Sequence, residues 1–103
     1  MFLFKKVPSI SVAQLEEKLA EPIELIDVRS KMEFSSGHIS RAKNIPLDKI
    51  ANFKPKTKGP IYIICQSGAR SKQAAKYLND QGYEAYNIDG GLMRWTKQLK
   101  VGK

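Results

Sequence analysis

The sequence predicts an α/β domain in which a small, mainly parallel sheet of about five strands carries helices on both faces. Three observations carry that expectation. Short apolar runs rich in β-branched residues alternate along the chain with segments of helical spacing. These strand-like runs are separated by helix-length segments rather than by tight turns, so successive strands run parallel. The 103 residues, 42% of them apolar, suffice for one core. One domain over residues 1–103 is therefore expected, with residues 1–8 and 100–103 at its periphery.

Ser11, with Gln14 three residues on, has the spacing of a capping box, and the helix it opens should run over Val12 to Ala20 with Val12, Leu15 and Leu19 inward. Glu21-Pro22 ends it. Leu25 to Val28 reads as a buried strand. Ser30 and Glu33 repeat the capping-box spacing, which places a short helix over Lys31 to Ser35, closed by Gly37. Ala42 to Ile45 is a brief extended piece, Leu47 to Ile50 one helical turn, and Asn52 to Pro60, with lysines, two prolines and a glycine, a loop. Ile61 to Ile64 is apolar on both faces and so predicts a central strand. A helix over Ser71 to Asp80 presents Ala74, Ala75 and Leu78 to the sheet. A strand from Tyr83 to Ile88 follows, and after Asp89-Gly90-Gly91 a last helix over Leu92 to Leu99 turns Leu92, Trp95 and Leu99 inward. Gly90-Gly91 reads as a turn and no ligand is assigned to it.

The apolar opening Met1 to Phe4 gives way at once to Lys5 and Lys6, too short for a signal-peptide core or a membrane span, so a soluble cytoplasmic protein is expected, without a membrane partner. The net charge of +8 arises from 18 basic and 10 acidic residues. Between Arg41 and Lys58 six basic residues face one acid, Asp48. They are scattered among apolar residues without stacking aromatics and match no nucleic-acid motif, which favours a solvated surface that draws in small anions over a nucleic-acid site. A single cysteine excludes an internal disulfide, and no Cys/His grouping has metal-site spacing.

That cysteine stands where the apolar run Ile61 to Ile64 ends. A thiol at the carboxyl end of a parallel strand, followed at once by a helix start, faces backbone N–H groups and the positive end of the helix dipole, and both favour thiolate. Gln66, Ser67, Gly68 and Ala69 form a short loop whose small members let successive N–H groups turn towards the sulfur. Arg70 offers a planar fork to a sulfonate or phosphate oxygen. Ser71 can cap the helix and leave its neighbours' N–H groups to a ligand. Cys65 could instead be a small hydrophobe closing a buried strand. The glycine-containing loop, the arginine and the helix start together favour a nucleophile.

Four blocks in this order resemble a single-domain rhodanese, a sulfurtransferase, over essentially the whole chain. They are Leu25 to Arg29; Glu33-Phe34 with Gly37-His38-Ile39, Ala42 and Asn44-Ile45-Pro46; Cys65 to Ser71; and Asp89-Gly90-Gly91 with Trp95. The resemblance implies a rhodanese-like fold and transfer of a sulfane sulfur from thiosulfate or a persulfide, through a Cys65 persulfide, to cyanide or an external thiol on a small molecule or a protein. It implies no metal and no organic cofactor. Related cell-cycle phosphatases share the resemblance but place five residues between cysteine and arginine, where this chain has the four residues Gln66 to Ala69. That argues against a phosphatase or arsenate reductase. A non-catalytic interaction or sulfur-relay module is the other alternative, although such domains typically lack the cysteine. Asp27 and Arg29 are either supporting site residues or an ion pair that holds the loop after their strand. His38 is expected to fix a turn, and Trp95 to be core.

Overall fold

A computed structural model describes residues 7–56 and 58–103. The apolar opening and its two lysines lie outside the described residues. The first strand, β1 (Ser9–Ile10), leads into α1 (Val12–Lys18), whose start is the expected capping box: the Ser11 hydroxyl accepts from Gln14 N–H at 3.1 Å and the Gln14 side chain accepts from Ser11 N–H at 2.8 Å. β2 (Glu24–Asp27) is followed by α2 (Lys31–Ser36), where Ser30 and Glu33 form the second box and Gly37 closes the helix. β3 (Lys43–Asn44), a 3-10 helix over Leu47–Asn52, β4 (Pro60–Ile64), α3 (Ala69–Asp80), β5 (Glu84–Ile88) and a 3-10 turn over Gly91–Arg94 complete the chain.

The five strands pair in the order β1-β5-β4-β2-β3, all in parallel, so β4 is central as its doubly apolar sequence requires. Alternation along β4 divides the core into two layers. Ile61 and Ile63 pack with Ile26, Ala74, Ala75, Leu78 and Ala85 beneath α3, and Tyr62 and Ile64 pack with Leu15, Leu25, Ile39, Ile88 and Leu92 on the α1 side. Among the described residues no helix is long and apolar enough to cross a membrane.

One strand was not anticipated, and two expectations need correction. β1 is a true edge strand, bonded through Asn87 N–H to Pro8 carbonyl (2.9 Å) and Asp89 N–H to Ile10 carbonyl (2.8 Å); a two-residue strand has too little sequence to show a period. α1 ends at Lys18, two residues before the expected Ala20. The helix expected over Leu92 to Leu99 is a single 3-10 turn that ends at Arg94, with Trp95 already extended at φ −78°, ψ 125°. The chain then crosses to His38, which exchanges backbone hydrogen bonds with Lys100 at 2.9 and 2.8 Å. Leu92 and Trp95 do pack on the α1-side core, but Leu99 is 37% exposed and lies over Gly37 instead.

Candidate active site

β4 delivers Cys65. The alternation that turns Ile61 and Ile63 towards α3 also turns the Cys65 side chain there, 1% exposed. Gly68, at φ 109°, reverses the backbone beneath it in a region that side-chain-bearing residues avoid. The expectation that Ser71 caps the helix is overturned. Gly68 is the cap, without any side-chain bond, and α3 begins at Ala69, with Lys72 N–H donating to the Gly68 carbonyl at 3.1 Å. A glycine cap turns the chain into the helix but offers no hydroxyl to the first N–H groups, which stay available to other acceptors. Ser71 thereby becomes the third helical residue, where its N–H has no partner within the helix.

That shift brings Ser71 to the sulfur. Cys65 Sγ accepts from Gly68 N–H at 3.1 Å and from Ser71 N–H at 3.4 Å, and the Ser71 hydroxyl stands 3.4 Å away. Burial pushes the Cys65 thiol up, but the Ser71 hydroxyl and the N–H groups of Ser71, Gly68 and Ser67 outweigh it, so the thiol lies below its ordinary pKa. Gln66, Ser67 and Ala69 are exposed around this buried sulfur, forming the open side of the cradle. Ala69 and Arg70 open the helix, so their N–H groups also lack helical acceptors.

The Gly90–Gly91 turn, read from sequence as a connection only, fastens the loop from behind. Leu92 N–H donates to the Cys65 carbonyl and Met93 N–H to the Gln66 carbonyl, both at 3.0 Å. A Cβ on Gly91, whose φ is +62°, would stand 2.4 Å from the Cys65 carbonyl oxygen. A second unforeseen residue is Glu33. Its Oε1 accepts from Ser30 N–H at 2.9 Å, while its two oxygens take the Arg70 fork at 2.6 and 2.9 Å. The hydrogen bonds from Arg70 and then from Ser30 hold the Glu33 carboxyl down at about 2. The Arg70 fork expected for a substrate oxygen is thus engaged with Glu33. These partners lie 37 residues apart, beyond any local spacing. Asn87 is the third, buried on β5, in hydrogen-bond contact with the Ser71 hydroxyl and donating to Ser9 Oγ at 3.2 Å. Its signal was a polar side chain between the apolar residues of a strand.

Asp27 and Arg29 form a buried pair, Nη2 to Oδ2 at 2.8 Å. Arg29 also donates to the carbonyls of Gly37 (2.7 Å) and Glu33 (3.2 Å), so the pair clamps the joint between β2 and α2 and makes no hydrogen bond to the cysteine loop among the described residues. His38 Nδ1 meets the Phe34 carbonyl at 2.7 Å and its ring stacks on Phe34 at 3.6 Å, a turn-holding arrangement. A surface cleft lined by Lys18, Glu21, Arg41, Lys43, Lys56 and Tyr62 among others opens at the amino ends of the strands, away from Cys65.

The fold that carries this sulfur has counterparts among known proteins. A family model described as the rhodanese-like domain matches residues 11–98. The chain belongs to this family. Similar to this rhodanese-like domain is the Bacillus subtilis protein YqhL, itself described as uncharacterized, 42% identical over 83 residues that span 78% of this chain and 66% of that protein. The Shewanella oneidensis thiosulfate sulfurtransferase GlpE is 32% identical over 98 residues, 92% of this chain and 95% of that one. The crystal structure of a rhodanese-like domain protein from Staphylococcus aureus superimposes with a TM-score of 0.83 at 33% identity, covering 94% of this chain and all of the other. The rhodanese-like domain thus has the expected fold and relatives named as sulfurtransferases.

Proposed function

We propose that this rhodanese-like domain is a sulfurtransferase with Cys65 as its sulfur carrier. The observation that supports it most is the sulfur itself: two backbone donors, Gly68 N–H and Ser71 N–H, converge on a buried thiol, and the Ser71 hydroxyl stands beside it. The Cys65 thiolate attacks the outer sulfur of thiosulfate; a new S–S bond forms, the S–S bond of the donor breaks, and sulfite leaves with the electron pair. A persulfide donor reacts the same way and leaves as a thiolate. The terminal sulfur of the Cys65 persulfide is then attacked by cyanide or an external thiolate, and the Cys65 thiolate returns. Gln66, Ser67, Gly68, Ala69 and Arg70 bind the anionic donor through backbone N–H groups and the positions on the Arg70 guanidinium that Glu33 does not occupy. Asp27 and Arg29 support the site at a distance, through the joint that carries Glu33. The single thiol makes the acceptor external, and a thiolate-biased cysteine suits the reducing cytoplasm. No metal or organic cofactor takes part.

Intact-protein and peptide mass spectrometry after thiosulfate treatment tests this reading. A gain of one sulfur on Cys65, reversed by cyanide and absent in Cys65→Ser, is expected; a Cys65→Ser variant that still turned over thiosulfate would sink it. Cys65-dependent hydrolysis of an aryl phosphate would favour the phosphatase alternative instead.

A further inference from the structure

Beneath the cysteine loop lies a chain of buried polar groups that the proposed reaction does not use directly. Asn87 and Ser71 are fully buried, and the Asn87 side chain sits on the face of β5 that carries Ala85 towards α3. A Cβ on Gly68 would come within 3.9 Å of Asn87 Nδ2, so the amide packs directly under the loop. We propose that Asn87 is a positioning residue for the sulfur, its amide deciding through the Ser71 hydroxyl whether the one hydroxyl proton is given to Cys65 Sγ.

The argument is one of proton count. Ser71 has a single O–H and three acceptors in reach: Cys65 Sγ at 3.4 Å, the Gly68 carbonyl at 3.1 Å and the Asn87 amide oxygen. When the amide presents its oxygen, it competes for that proton, and a neutral thiol can donate its own S–H to Ser71 Oγ. When the amide presents its nitrogen, Asn87 donates to Oγ and the hydroxyl proton is released towards an anionic sulfur. A half-turn of the amide exchanges the two arrangements. Ser9 Oγ, 3.2 Å from Nδ2, can accept from the nitrogen or donate to the oxygen, so Asn87 is satisfied in both. The network therefore has one arrangement for the thiol and another for the thiolate or persulfide. The charged groups around the sulfur lie elsewhere: Arg70 of α3, held by Glu33 of α2, and Asp27 of β2, closed on Arg29, while β5 brings the exposed Glu84, bonded to Tyr86, at its far end and the turn after it the exposed Asp89 and Arg94.

The test is the pH profile of Cys65 alkylation by iodoacetamide in the full chain. Asn87→Leu, which keeps the side-chain volume and removes the amide, is expected to slow alkylation about 3–10-fold at pH values below the titration midpoint and to leave the high-pH plateau unchanged. Asn87→Asp, nearly the same shape and acceptor-only when ionised, is expected to move the midpoint the same way and keeps the proposal falsifiable if the leucine variant fails to fold. In a Ser71→Ala background, Asn87→Leu should give no further shift. A folded Asn87 variant with the parent's midpoint, whatever its thermal stability, overturns the proposal; so does a shift from Asn87→Leu of equal size with and without the Ser71 hydroxyl. The inference rests on Cys65 being the nucleophile proposed above, but alkylation reads ionisation rather than sulfur transfer. A domain that moves no sulfur can still show the shift, and a working sulfurtransferase can fail to show it.

Discussion

Cys65 Sγ can be held in one place only because the backbone around it leaves no slack, and Gly91 is the residue on which that rests. Gly91 and Gly82 both have positive φ, +62° and +97°, but a Cβ on Gly82 meets nothing within 4 Å whereas one on Gly91 runs into the Cys65 and Gln66 carbonyls. Gly82→Ala should therefore carry only the backbone penalty, about 1–2 kcal/mol. Gly91→Ala should exceed it by about 1–3 kcal/mol and also lower sulfurtransferase turnover, since relieving the contact means moving the nucleophile's own carbonyl. Urea denaturation of both variants checks the difference; equal losses would mean that the loop accommodates the methyl group freely. At this scale the sequence was informative where chemistry is local. A lone cysteine between an apolar run and a helix start singles out Cys65 as the candidate nucleophile, with Gly68 in the cradle loop and Ser71 as the expected helix cap. The cap is Gly68, which also keeps its place in the cradle, because whether a glycine or a serine caps the helix depends on a φ of 109° that the letters do not carry.

At the scale of elements, the two capping boxes were legible because each is closed within four residues, and Ser11–Gln14 and Ser30–Glu33 form as their spacing requires. The second task of Glu33 was not, since the ion pair that ties α2 to the start of α3 depends on tertiary structure. The last helix misled for a related reason: Leu92, Trp95 and Leu99 have helical spacing, but Leu92 and Met93 spend their N–H groups on the Cys65 and Gln66 carbonyls and His38 draws the chain out at Lys100. Glu33→Gln separates the two tasks of Glu33, because glutamine can still accept from Ser30 N–H but cannot pair ionically with Arg70. Each partner is 37% exposed, so solvent screening limits the expected loss to about 0.5–1 kcal/mol near neutral pH. The folded carboxyl titrates at about 2, below its ordinary 4.5. The extra stability is thus fully present above pH 4.5, and it is lost as pH falls through about 2. Parent and variant stability, measured by denaturant titration along that range, should draw together towards the acid end; a gap at pH 2 as large as that near neutral pH would mean that the carboxylate charge is not its source.

On the scale of the whole molecule, the parallel sheet and central β4 were readable from alternation and apolar runs, while the small edge strand β1 was not, because two residues show no period and its pairing with β5 depends on tertiary structure. The sheet places the sulfur at one end of a molecule with a net charge of +8. That charge is spread over solvated lysines and arginines, so its effect on a reaction at Cys65 is long-ranged, and ionic strength attenuates it over about 8–10 Å at 0.10–0.15 M salt. A doubly charged donor such as thiosulfate should feel the whole field, whereas an uncharged reagent that attacks the same sulfur should feel almost none. Raising an inert salt from about 20 to 300 mM is therefore expected to lower kcat/KM for thiosulfate by about 3–10-fold, mostly through KM, and to leave the rate of Cys65 alkylation by neutral iodoacetamide within about 1.5-fold. The alkylation control matters, because salt could also weaken the Glu33–Arg70 pair and disturb the loop, and such a disturbance would change both rates. If thiosulfate turnover proves indifferent to salt while alkylation is steady, the donor is captured by the backbone cradle alone, and the basic surface has no part in delivering it.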